Sequence, residues 1–167
     1  PVGPPLTDVL HGNDAYAYLV KPGQECGGTD DNAFRLIKSH MLLHFDTQQI
    51  PADFSVRTGL LKAVPEGTNR FTPGEEIYLT QNISVHVDQP GPFQLDIETP
   101  DFGLEELDDE YFLVFKFTSF VEGNLPIDSY PEAGVAYRFN GTSWEDMDTL
   151  DRRPSGKIIL WGDIVCV

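Results

Sequence analysis

Basic residues are scarce in this chain: 11 Lys and Arg stand against 27 Asp and Glu, a formal charge of −16 at pH 7. A surface of that sign repels phosphate backbones and anionic lipid, so nucleic acid is excluded as a partner. Long apolar runs are also missing. No stretch approaches the ~18 residues a membrane-spanning helix needs, and no membrane insertion is expected. Catalytic signatures are absent as well: there is no G-x-S-x-G, H-E-x-x-H, P-loop or Cys-x-x-Cys, and the "GTSWE" segment has the wrong register for a nucleophile elbow. Paired carboxylates are too numerous among 27 acids to single out one couple for glycoside hydrolysis. The expectation is a protein that is not an enzyme.

Cysteine occurs twice, as Cys26 in "GQECGGTD" and Cys166 in "GDIVCV". One pair has one intramolecular connectivity. A bond between them closes a loop of about 140 residues, worth up to ~5 kcal/mol on the chain-entropy model. The last strand of a domain frays unless something ties it down, and Cys166 is one residue from the end. The predicted Cys26–Cys166 disulfide implies an oxidising compartment, hence a secreted protein that is extracellular or at the cell surface. The tripeptides Asn82-Ile83-Ser84 and Asn140-Gly141-Thr142 are compatible with that. The start "PVGPPLTDVL" has no initiator Met, as expected of a processed N-terminus or a domain cut from a larger protein.

What is present is a single-domain chain of 167 residues, 40% hydrophobic, with 13 prolines and 15 glycines. That turn-rich composition suits many short strands. Residues 1–13 read as a linker-like or extended segment and 14–167 as one domain. "EEIYLTQNISVHVD" alternates as one long strand with Ile77, Leu79, Ile83, Val85 and Val87 on one face. "PFQLDIET" repeats the pattern with Phe93, Leu95 and Ile97, and the intervening "DQPGP" predicts an antiparallel hairpin between the two. "AFRLIKSHMLLHFD" fits a strand lining up Ile37, Ser39, Met41, Leu43 and Phe45, with a helix as the alternative. "DAYAYLV", "DFSVRTGLLKAV" and "KIILWGDIVCV" read as further strands, and Asn140-Gly141 marks a hairpin between "GVAYRF" and "WEDM". "YFLVFKF" is apolar on both faces, the mark of a central strand. The predicted fold is all-β: a two-sheet antiparallel β-sandwich of jelly-roll type, with an immunoglobulin-like sandwich as the alternative.

Candidate sites follow from residue chemistry. His40 and His44 in "HMLLH" lie about 13 Å apart if the segment is a strand, too far to share one metal ion. Ca²⁺ takes six to eight oxygens, and "ECGGTDDN" supplies Glu25, Asp30 and Asp31 around two glycines. A Cys26–Cys166 bond would bring Asp163 to them, so these four are the candidate ligands of a structural calcium. Trp144, Asn140 and Tyr130 are the candidate ligand-binding residues, since an indole beside amide and hydroxyl groups can stack on a sugar ring. The acidic run Glu105–Glu110 precedes the most apolar strand and reads as a charged gatekeeper against mispairing. Together these point to a non-catalytic extracellular module that binds a polysaccharide or other glycan, or serves adhesion. The alternative is a fibre or pilus subunit joined to copies of itself through its N-terminal strand; a secreted hydrolase is the third reading.

Overall fold

The computed structural model describes residues 7–11, 14–21, 34–68, 70–99, 110–128, 132–147 and 157–166. Among them run β1 (Thr7–His11), β2 (Ala15–Val20), β3 (Phe34–Phe45), β4 (Ala52–Pro65), β5 (Phe71–Leu79), β6 (Ile83–Val87) and β7 (Gly91–Glu98). They continue with β8 (Tyr111–Phe117), β9 (Glu122–Asp128), β10 (Ala136–Phe139), β11 (Trp144–Asp146), β12 (Lys157–Ile158) and β13 (Leu160–Cys166). A 3-10 turn at Thr47–Gln49 is the one helical element among the described residues.

The strands form two antiparallel sheets. The first has the order β1-β9-β3-β13, with β7 also on β3 and β12 on β9; the second has the order β11-β10-β2-β8-β4-β5, with β6 also on β4. The sheets face each other over one core that includes Tyr16, Met41, Phe45, Phe54, Phe115 and Leu125. Strand β1, from the segment read as linker-like, pairs with β9 from Thr7↔Pro126 to His11↔Glu122.

The two-faced reading of "YFLVFKF" holds. As β8 it lies between β2 and β4, and Tyr111, Leu113, Phe115 and Phe117 enter the core. Phe112 and Val114 join a second apolar cluster on the outside of the same sheet. The strand reading of "HMLLH" also holds, within β3.

Three expectations need correcting. The predicted hairpin between "ISVHV" and "PFQLDIE" does not form: β6 pairs with β4 and β7 pairs with β3, so "DQPGP" carries the chain from one sheet to the other. Alternation reports which face a residue takes, not which strand lies beside it. Second, "EEIYLTQNISVHV" is two strands along the same edge of β4. At the break Thr80 bonds back to β4, its N–H donating to the Thr58 carbonyl at 2.8 Å and its hydroxyl accepting from the Thr58 N–H at 3.1 Å. The faces change over there, so Leu79 packs on the outer cluster while Ile83 packs on the core. Third, Ile37 is exposed rather than aligned with Met41, Leu43 and Phe45. Ile164 pairs with Leu36 and Asp163 with Lys38, which leaves Ile37 as the extra residue of a β-bulge. Thr99 secures the bulge: its N–H donates to the Ile37 carbonyl at 3.0 Å and its hydroxyl to that of Leu36.

Candidate ligand-binding groove

Trp144 opens β11 directly after the Asn-Gly turn. The predicted hairpin is present, with Phe139↔Trp144, Arg138↔Glu145 and Tyr137↔Asp146 in register. Its loop runs through four residues, the Asn140 N–H donating to the Ser143 carbonyl at 3.2 Å. Gly141 sits at φ 98°, a conformation that a side chain would strain. The Asn140 side-chain oxygen accepts from the backbone N–H of Thr142 and Ser143 at 2.9 and 3.0 Å, and its amide donates to Glu145 at 2.6 Å. Asn140 therefore shapes the turn that presents Trp144, and its amide is committed there. Tyr130 lies outside the described residues.

The hairpin is anchored from below. The buried Asp146 carboxylate takes the Arg70 guanidinium at 2.9 Å and the Gly134 N–H at 2.8 Å. The Tyr137 hydroxyl donates to the Phe71 carbonyl at 2.8 Å, and burial raises its pKa. Above this base the rings of Phe139 and Trp144 lie 5.2 Å apart at 50°.

Those two rings form one wall of a groove of about 250 Å³ on the outside of the second sheet. Ala15, Leu61 and Val114 make an apolar floor, and Gly74, Glu76 and Leu79 of β5 the opposite wall. A Cβ on Gly59 would stand 1.8 Å from the Tyr78 carbonyl oxygen, so glycine alone lets the β5 backbone come close against β4 at that point. Lys116 also lines the groove, its ammonium 3.8 Å from the Glu76 carboxylate with both side chains about half exposed. That separation exceeds hydrogen-bond reach. A hydroxyl entering between them can accept from one and donate to the other. Lys116 interrupts an apolar run and so calls for a paired acid or an opening to water, but nothing in "PGEEIY" marks Glu76 as the acid it meets.

A second cluster lies on the outside of the first sheet. His40 Nδ1 is 2.5 Å from Asp96 and Nε2 is 2.7 Å from Asp163. Trp161 stacks on the imidazole, centroids 4.9 Å apart at 20°. Burial is the largest single influence on His40 and lowers its pKa, but the hydrogen bonds to Asp163 and Asp96 outweigh it and the net shift is upward. Asp96 is lowered by its hydrogen bonds to Gln94 and then His40.

Of the four candidate calcium ligands, Glu25, Asp30 and Asp31 lie outside the described residues. Asp163 is engaged by His40. Cys166 follows Asp163 by three residues on β13, with a register shift between Asp163 and Ile164. Among the described residues no group of three His, Cys, Asp or Glu side chains converges as a metal site. Cys166 is disulfide-bonded; Cys26 lies outside the described residues.

Fold and groove define an antiparallel β-sandwich with an aromatic-walled recess on the exposed face of one sheet. Comparison with protein-family models, characterised proteins and solved structures finds no match.

Proposed function

We propose that this chain is a non-catalytic extracellular binding module for a glycan, and that one sugar ring sits in the groove beside Trp144. The observation that carries the reading is the makeup of that groove: two aromatic rings, an apolar floor, and one donor and one acceptor at its mouth. A pyranose ring offers an apolar C–H face for the indole and hydroxyls for Lys116 and Glu76. At about 250 Å³ the groove falls below the ~300–1,000 Å³ of pockets that enclose drug-sized ligands, which suits one ring of a longer molecule. The extracellular assignment rests on the disulfide at Cys166, whose one possible partner within the chain is Cys26.

The test is affinity electrophoresis against a panel of soluble polysaccharides, run with added Ca²⁺ and with EDTA. At least one polysaccharide retards the wild type. Trp144→Ala, half-buried at a loop edge and tolerable to the fold, weakens that binding about tenfold or more. Retardation by none of them, or equal retardation of wild type and variant, would remove the reading.

A further inference from the structure

Among the described large hydrophobic residues the most exposed is Phe120, at 68%. A phenyl ring left in water forgoes the hydrophobic gain that burial gives the rest of the core. The turn that carries it is held firmly. The Thr118 N–H donates to the Ser55 carbonyl at 3.0 Å, the Ser119 hydroxyl accepts from the Ser55 N–H at 2.8 Å, and the Thr118 hydroxyl donates to Asn82 at 2.8 Å. Phe120 is thus presented on a braced turn, with Val121 buried directly after it.

Phe120 borders a shallow cleft of about 260 Å³ at one end of the sandwich, together with Gln48, Asp53 and Glu122. The facing loop is braced too. The Asn124 amide donates to Asp46 at 3.1 Å and to Gln49 at 3.0 Å, and the Gln49 side chain accepts from the Asp46 N–H at 2.8 Å. Asp53 lines the cleft, and one of its oxygens meets His86 Nδ1 at 2.6 Å. An exposed ring edged by carboxylates and an amide has the same makeup as the groove: an apolar plane for C–H groups, acceptors and donors for hydroxyls.

The two places are close along the chain. Phe120 follows Lys116 of the groove by four residues, so their Cα atoms are no more than about 15 Å apart. We infer that Phe120 and its cleft form a second sugar-binding subsite, which takes a further ring of the same linear oligosaccharide whose first ring occupies the Trp144 groove. The inference rests on the glycan reading of the groove. It adds the class of ligand: a chain several rings long, held at two points, so that affinity rises with length.

The experiment is calorimetric titration of wild type, Phe120→Ala, Phe120→Tyr and Trp144→Ala with cello-, xylo-, manno- and chito-oligosaccharides of two and of six rings. In the series that binds, the wild type prefers six rings to two by about tenfold. Phe120→Ala brings the six-ring affinity down to the two-ring value and leaves the two-ring value unchanged, while Phe120→Tyr keeps the preference. Because the side chain lies in solvent, the variant's melting temperature stays at the wild-type value. A Phe120→Ala protein that still prefers six rings overturns the second subsite while leaving the groove reading intact, provided Trp144→Ala loses binding. Silence of the wild type towards every series overturns both.

Discussion

His40 joins three strands through one ring. Its nitrogens meet Asp96 of β7 and Asp163 of β13, with Trp161 stacked alongside and Lys38 and Glu98 next in register. A neutral imidazole has one N–H and can donate to only one carboxylate, whereas the imidazolium donates to both. The protonated ring is therefore the form that fits, in keeping with a pKa above the ordinary 6.5. A group whose pKa rises on folding contributes its full stability below the unfolded value and loses it as pH rises through the folded one. Asp96 has the opposite sign: its contribution is present above 3.8 and fades as pH falls through its lowered value. Both are in force between 3.8 and 6.5. In that window His40→Gln should cost about 1–2 kcal/mol, kept modest because both carboxylates are half exposed. The gap in melting temperature between wild type and variant should narrow as pH climbs past the raised His40 value. A constant gap from pH 5 to 10 would show that the ring acts by packing alone.

Strands, rather than residues, decide where the groove lies. β5 can bring its Tyr78 backbone close against β4 because β4 carries Gly59 there. Gly59→Ala must push the Tyr78 backbone outward, and overpacking of that kind costs about 1–3 kcal/mol or more. Urea unfolding should register the loss. Under the proposed glycan reading, sugar affinity should fall with it, since the displaced backbone continues into Leu79 and Glu76 of the groove wall. Retained affinity in a destabilised Gly59→Ala protein would mean that β5 is not a wall of the site. The same element explains what could be read from the sequence and what could not. Alternation found the inward faces of β6 and β7 because each is regular over its length. It failed at Ile37 and between Leu79 and Ile83, where one bulge and one three-residue break shift the parity without any change in composition. Trp144 stood out as an indole beside an Asn-Gly turn, where packing over the end of the core was the commoner explanation, and it packs with Phe139 on the outer apolar cluster. The meeting of Lys116 with Glu76 was hidden, because a groove drawn from strands β2, β4, β5, β8, β10 and β11 is assembled by pairing across the sheet.

Across the whole molecule, the strand that ends the chain is tied at more than one level. β13 pairs with β3 from Leu160↔Met41 to Cys166↔Phe34, bears Trp161 and Asp163 of the histidine cluster, and ends in a bonded cysteine. A domain carrying −16 charges repels itself, and β13, at the end of its sheet's strand order, is a part readily lost. With Cys26 as partner, the bridge closes nearly the whole chain into one loop, and cutting it should cost about 2–5 kcal/mol. Urea unfolding with and without reductant measures that. Hydrogen exchange then says where the loss falls. If the bridge pins β13, the amides of Leu160 to Val165 lose protection first on reduction, His40 returns towards 6.5, and added salt recovers part of the stability by screening the acids. Loss spread evenly over both sheets would instead mean that the bridge acts through the unfolded chain, and that the histidine cluster alone suffices to hold β13 in place.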